Sequence, residues 1–184
     1  VNHIAPMVKM LWQLPTRRNM VLEVKYAYED MNYNQSYAGQ TTADFNANPH
    51  QQYVGYQLGE YNTEHHTSYV KFRADINSKI KNNTTAYFNY FTRDWFKLDK
   101  AGATGDRDSL QNIVAQTWNE ANDLNVLKGL VAGEVQYKSN NRKYHAYGLI
   151  NETTFDFNTT GWGMNIDHDL LVGFKAVSYT HLTL

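Results

Sequence analysis

The chain has 184 residues, long enough for one globular domain, with a formal net charge of -1 and no cysteine. Near-neutral charge removes the broad electrostatic case for nucleic-acid binding, and the missing thiols exclude disulfides, Cys-zinc sites, thiol catalysis and c-type haem attachment within it. Aromatic residues are abundant, with 14 Tyr, 8 Phe and 4 Trp against 3 Pro; no apolar run approaches the ~20 residues of a spanning helix.

Mean hydropathy is -0.63, which does not exclude a membrane, because barrel strands hide their apolar band in alternation. Val1 carries no initiator Met or signal-peptide pattern. The final run Val177 to Leu184 (VSYTHLTL) reads as a translated sequencing adapter and is expected to be non-native. Residues 1-176 are therefore expected to be an internal piece of a longer protein.

From Ile4 to Leu14 the even positions are mainly apolar, and Pro15 to Asn19 then supplies a turn. Met20, Leu22, Val24, Tyr26 and Tyr28 resume the alternation opposite Glu23, Lys25 and Glu29, so the two runs read as an antiparallel hairpin. Asp30 to His66 is long, polar and without period. Thr67 to Ile80 is the clearest strand, with Val70, Phe72, Ala74, Ile76 and Ile80 against Lys71, Arg73, Asp75, Asn77 and Lys79. Lys81-Asn82-Asn83 reads as the next turn, and Thr84 to Arg93 as the return strand.

A second long loop is expected from Asp94 to about Asn125. Within it Leu110, Ile113, Val114 and Trp118 have helical spacing behind Asp108 or Ser109 as N-cap. Leu127 to Tyr137 alternates again, and Ser139 to Lys143 reads as a turn. Ordinary domains seldom carry connections of such length, whereas outer-membrane barrels alternate short turns with long outer loops.

The last stretch, Thr153 to Ala176 (TTFDFNTTGWGMNIDHDLLVGFKA), sets two alternating segments around a glycine-rich turn. Ile166, His168, Leu170, Val172, Phe174 and Ala176 share one face, with Asp167, Asp169, Gly173 and Lys175 on the other. The order of a polar strand ending in Phe, a T-G turn, acidic-His and then LL-x-G-aromatic resembles the barrel of TonB-dependent outer-membrane receptors, in particular the ferrichrome-type siderophore receptors. The specific part of the resemblance is Arg142 to Ala176; elsewhere only the rhythm matches.

The resemblance implies an all-β fold: six or seven antiparallel strands of a larger, plugged barrel of roughly 22 strands, with long extracellular loops. It implies active uptake of a ferric siderophore across the bacterial outer membrane, with TonB as the energy-transducing partner, lipid around the wall, no resident cofactor and no enzyme activity. Tyr53, Tyr56, Tyr61, Trp95, Phe96 and Trp118, on the expected loops, are the candidate ligand contacts, as flat amphipathic surface for an organic chelate. Each is also the residue type of an interfacial girdle.

Strict alternation of sides conflicts with the resemblance. Counted as a turn, Ser139 to Lys143 would put the TTGWG turn on the side of the long loops; the resemblance puts it on the other. With the resemblance followed, Leu127 to Tyr147 is expected to be a hairpin above the membrane. Two other classes stay open: a sheath barrel around a multihaem cytochrome, which shares the rhythm of long and short loops, and a soluble β-sandwich binding or carbohydrate-active module, which the aromatic Thr84 to Arg93 strand would also suit. Glu64-His65-His66 is a weak metal candidate, since neighbours on a strand point to opposite faces. His168 reads as interfacial, and the Asp106/Asp108 pair with Arg107 as solvated charge. No nucleophile elbow, phosphate loop or HExxH pattern occurs.

Overall fold

The computed structural model describes residues 2-116 and 121-183. Its framework is one eight-stranded antiparallel sheet. The strands are β1 (Asn2–Ile4), β2 (Met7–Gln13), β3 (Met20–Asn34), β4 (Glu60–Asn77), β5 (Ile80–Ala103), β6 (Asp106–Ser109), β7 (Glu134–Gly161) and β8 (Met164–Thr183). β1 and β2 lie end to end along β3, separated at Pro6, which has no N–H to give the ladder. Beyond them the order is β3, β4, β5, β7, β8, with β6 as a short flap on β5. Among the described residues no helix is long and apolar enough to cross a membrane; strands lie outside that criterion.

The long strands extend past the segments that read as loops. β3 and β4 pair from Met20↔Ala74 out to Asn34↔Glu60, so the polar Asn, Tyr and Glu residues there are ladder rather than loop. Cross-strand partners, not hydrophobic period, hold this part together. The turn expected at Lys81 to Asn83 lies inside β5. The chain reverses instead at Ser78-Lys79, after a bulge at Ile76, and Asn77 Oδ1 accepts from the Lys79 N–H at 2.8 Å. Leu127 belongs to a helix, and β7 starts only at Glu134.

The largest correction concerns Ser139 to Lys143, which is not a turn. It lies within the unbroken β7, paired to β5 from Ser139↔Phe96 to Lys143↔Thr92. Asn and Ser favour turns through side-chain bonds to their own backbone and, for Asn, a tolerance of positive φ. Here Ser139 Oγ donates to Asp94, and Arg142 Nε donates to Asn140 Oδ1 at 2.9 Å, so both act along or across the sheet. With that turn gone, the short reversals that join the long strands (14-19, 78-79 and 162-163) fall at one end of the sheet, and among the described residues only the small β5–β6 flap turns back tightly, through 104-105, at the other. Both long segments (35-59 and 104-133) fall at the other. The conflict over the TTGWG turn disappears, because strict alternation and the resemblance now give the same side. β8 runs on through Val177 to Thr183, paired to Gly148 back to Arg142.

Two faces of unlike chemistry follow from the register. On the first, rungs such as Trp12–Leu22–Phe72, Met10–Val24–Val70–Ala86–Leu149–Ala176 and Val8–Tyr26–Ser68–Phe88–Tyr147 are largely apolar. The next rung toward the loop end is Tyr28–His66–Tyr90–His145, rings 4.8 to 5.8 Å apart; beyond it lies Asp30–Glu64–Thr92–Lys143. Toward the turn end the face closes on Ile80–Phe155–Leu170, with Phe157 stacked on His168 at 4.9 Å.

Asn82, Thr84, Asn151 and Thr153 interrupt this apolar field. They form a closed ring: Asn82 Nδ2 donates to Thr153 Oγ1 (2.8 Å), Thr153 Oγ1 to Asn151 Oδ1 (3.5 Å), Asn151 Nδ2 to Thr84 Oγ1 (2.7 Å) and Thr84 Oγ1 to Asn82 Oδ1 (2.9 Å). Satisfying one another lowers the cost of placing four polar groups on that face.

The second face is polar. Glu23, nearly buried, accepts from Lys9 (3.0 Å), Arg73 (3.3 Å) and the Tyr69 hydroxyl (2.6 Å). On the same face Tyr87 lies opposite Gly148 and over it. A Cβ there would stand 2.6 Å from the Ala176 carbonyl oxygen and 2.7 Å from the Tyr87 hydroxyl oxygen, so the glycine admits the ring.

The β7–β8 hairpin turns through Trp162 (φ 52) and Gly163 (φ 75), both in the left-handed region that two-residue hairpin turns demand. Glycine meets that demand freely; tryptophan does not, and Trp162 is wholly exposed. Trp162→Asn is therefore expected to raise hairpin stability by ~0.5–1 kcal/mol. Denaturation of the full-length protein checks it; a loss of stability would mean that the indole makes compensating contacts.

Candidate functional site

At the loop end the two long segments fold together as a cap. The first contains α1 (Thr42–Ala47) and a 3-10 turn at Val54–Tyr56; the second contains α2 (Leu110–Ala115) and α3 (Ala121–Lys128). Ser109 caps α2, its Oγ accepting from the Asn112 N–H, while Asp108 Oδ1 accepts from Ser109 N and Asn112 Nδ2. This is the expected capping site, and it gives Asp108 a bonded role rather than free solvation. Arg107 pairs with Glu134 at 3.3 Å.

The sheet contributes to the cap core through a bulge between Leu98 and Lys100. The extra residue resets the pleat, so Leu98 and Ala101 point the same way. They pack with Tyr53, Tyr56, Leu110, Ile113 and Leu127, all buried.

An ion pair ties the segments. Asp44 Oδ2 is 2.7 Å from Lys128 Nζ and also accepts from the Tyr53 and Thr41 hydroxyls. These donors, Lys128 first, then Tyr53 and Thr41, pull the Asp44 carboxyl down to about 2. Burial and the Asp44 carboxylate together raise Tyr53, and burial alone does most of it for Tyr56 and Tyr137.

A group whose folded pKa is depressed stabilises above its unfolded value and loses that contribution as pH falls through the folded one. The Asp44 latch should therefore hold above pH ~4 and be lost as pH falls from there to ~2. Solvent screening of this partly exposed pair limits its worth to ~1 kcal/mol or less. Asp44→Asn should remove this acid dependence; limited proteolysis of 35-59 against pH reads it, and an unchanged profile would refute the latch.

The expected ligand residues separate into groups. Tyr53 and Tyr56 are 1% and 2% exposed, stacked at 5.8 Å, with the Tyr56 hydroxyl on the Gly39 carbonyl. Their surface is taken up by the cap itself. Phe96 stacks on Tyr137 at 5.1 Å, and the Tyr137 hydroxyl donates to the Gly55 carbonyl. Tyr61 and Trp95 do come together, edge to face at 5.8 Å, on the polar face below the cap. Trp118 lies outside the described residues. His65 and His66 take opposite faces: His65 meets Phe91 edge-on at 5.6 Å, and His66 bonds to Glu64 (2.6 Å) and Tyr26 (2.7 Å).

Around Tyr61 and Trp95 the register assembles a site that the sequence pattern did not mark. Rungs of the polar face run, from the middle of the sheet toward the cap, His65–Phe91–Tyr144–His181, then Met31–Thr63–Arg93–Arg142, then Tyr33–Tyr61–Trp95–Asn140, then Lys97–Lys138. Lys97 is 6% exposed, its ammonium 3.3 Å from the Tyr37 ring centre and 4.3 Å from that of Trp95. The Arg93 guanidinium lies 6.0 Å from the same indole. Below, a cavity of about 350 Å³ is lined by Asn89, Phe91, Tyr144, Ala146 and Tyr179. Sequence spacing could have shown Arg93, Trp95 and Lys97 on one face; only strand pairing puts Arg142 and Lys138 beside them.

Comparison with protein-family models, with curated proteins and with solved structures finds no match to this chain. What the fold itself defines is the class: an all-β chain built on one antiparallel sheet, with two long segments gathered into a cap at one end.

Proposed function

We propose that the chain is part of the wall and outer loops of an outer-membrane β-barrel that takes up ferric siderophores with energy from a TonB-type partner. The observation that carries this reading is the band on one face. From the rung of Ile80 to that of Tyr90 is ~33 Å along the strand, or ~23 Å across a bilayer at a tilt of about 45°. Outer-membrane barrels have an apolar belt ~25 Å tall edged by aromatic girdles. Here the edges are the Tyr28–His66–Tyr90–His145 rung and the Phe155 and Phe157 positions.

The opposite face, with Glu23, Lys9 and Arg73 bonded together, suits a watered lumen, and the cap suits the outer side. β1 and β2 at one edge and β8 at the other pair on one side only among the described residues. A larger closed barrel would complete them. The sandwich alternative needs a second layer over the apolar band, and the described residues supply none.

The test is uptake. Cells lacking their own ferric-chelate receptors, and expressing the full-length protein, should accumulate radiolabelled iron from at least one ferric chelate, and only with an energised inner membrane and TonB present. Passive or absent accumulation would reject the importer in favour of a channel or sheath barrel.

A further inference from the structure

The polar face beneath the cap holds more positive charge than the chain neutralises. Arg93 and Arg142 are direct cross-strand partners, so their Cβ atoms stand ~5 Å apart, an arrangement that destabilises a sheet when nothing bridges the charges. Two rungs on, about 13 Å along the strand, Lys97 faces Lys138. Of the four cations only Lys138 has a carboxylate, Asp99; Arg93, Arg142 and Lys97 form no ion pair among the described residues. Lys97 is nonetheless nearly buried, held by the faces of Tyr37 and Trp95. Two nitrogen donors nearby, Arg93 Nε and Trp95 Nε1, are buried without an acceptor, and leaving such groups unmet costs stability. The turn end of the same face shows the contrast: there Glu23 meets both Lys9 and Arg73.

We infer that the Arg93–Arg142 pair and Lys97, with the Tyr33–Tyr61–Trp95 ring row between them, form a recognition site for a negatively charged, flat-rimmed chelate, so that the protein selects anionic over neutral ferric complexes. The inference rests on the uptake reading and adds the substrate's charge class to it. Guanidinium pairs bind carboxylate or catecholate oxygens through paired, charge-assisted hydrogen bonds. The aromatic row supplies apolar contact area for the ligand's rings. An anion seated there would relieve the repulsion between Arg93 and Arg142, which no carboxylate among the described residues offsets.

Equilibrium binding to the purified full-length protein tests this with two probes: an anionic ferric tris-catecholate and a neutral ferric trihydroxamate. The unmodified protein should bind the anionic probe more tightly, and added salt should weaken that binding while sparing the neutral probe. In the double variant Arg93→Gln/Arg142→Gln, affinity for the anionic probe should fall by about tenfold or more, with partial recovery in Arg93→Lys/Arg142→Lys. Equal binding of both probes, or salt-independent binding, by the unmodified protein overturns the inference but leaves the importer reading standing. Binding of neither probe also overturns the inference, while the uptake assay, run over a wider set of ferric chelates, decides the importer reading separately. Because the preference and its salt dependence are measured without substitution, misfolding of a variant cannot decide the outcome.

Discussion

If the apolar face meets lipid as proposed, Phe72→Arg should block or slow assembly, costing ~2–4 kcal/mol, because Phe72 lies near the middle of the apolar band, where lipid would have to accept a guanidinium. Its rung is Leu22–Phe72–Thr84, four residues along β5 from Ile80 and six from Tyr90. The same change at the girdle, Tyr28→Arg, should cost only ~0–1 kcal/mol, since a long cation there reaches the headgroups. Arg73→Ala, on the opposite face, should also cost little, because Glu23 keeps Lys9 at 3.0 Å and Tyr69 at 2.6 Å. Folding of the full-length protein into lipid vesicles measures all three. A bilayer imposes this gradient with depth; equal penalties at Phe72 and Tyr28 would point instead to a protein layer packed over the whole face.

The second large effect belongs to the cap. Leu127 is fully buried against Tyr53, Tyr56, Leu98 and Leu110, and its side chain lies where a Cβ on Gly55 would come within 2.8 Å. Leu127→Ala should destabilise the cap by ~2–5 kcal/mol, the lost transfer energy plus the cavity left behind. The sheet below depends on its ladder and not on this core. Protease should therefore cut 35-59 and 104-133 in the variant while the strands stay protected. Loss of the strands at the same protease dose would show that cap and sheet unfold as one.

Alternation was the informative signal wherever one face is apolar. Val70, Phe72 and Ala74 were legible as a strand because period-two hydrophobicity survives in the order of residues, whereas Ile80, read into the same strand, opens β5 beyond the bulge at Ile76 and the 78-79 reversal. The Ser109 cap and the helix at Leu110 were legible for a similar reason: capping is local chemistry. Toward the cap the strands turn polar on both faces. There Asn140, Asn141 and Asp94 are indistinguishable from loop by composition, and only their partners across β5 and β7 make them strand.

The candidate ligand residues divide along the same line. Tyr53 and Tyr56 looked like binding surface because tyrosine in a long polar segment gives no sign of burial. Their fate was set by α3 and Leu98, distant in sequence, closing over them. Trp95 and Tyr61 meet because β4 and β5 are in register.

By itself, then, the sequence determined the all-β class, the apolar and polar faces of the strands' middle portions, the helix cap in the second long segment and the turn at Trp162. Each depends on residues within a few positions of one another, where side-chain direction and backbone preference act directly. Tertiary structure alone decided where the strands end, that Ser139 to Lys143 is not a turn, which tyrosines are core, and that Arg142 and Lys138 stand opposite Arg93 and Lys97. Those features depend on cross-strand register and on packing between segments far apart in the chain, and no local pattern of residues encodes that pairing.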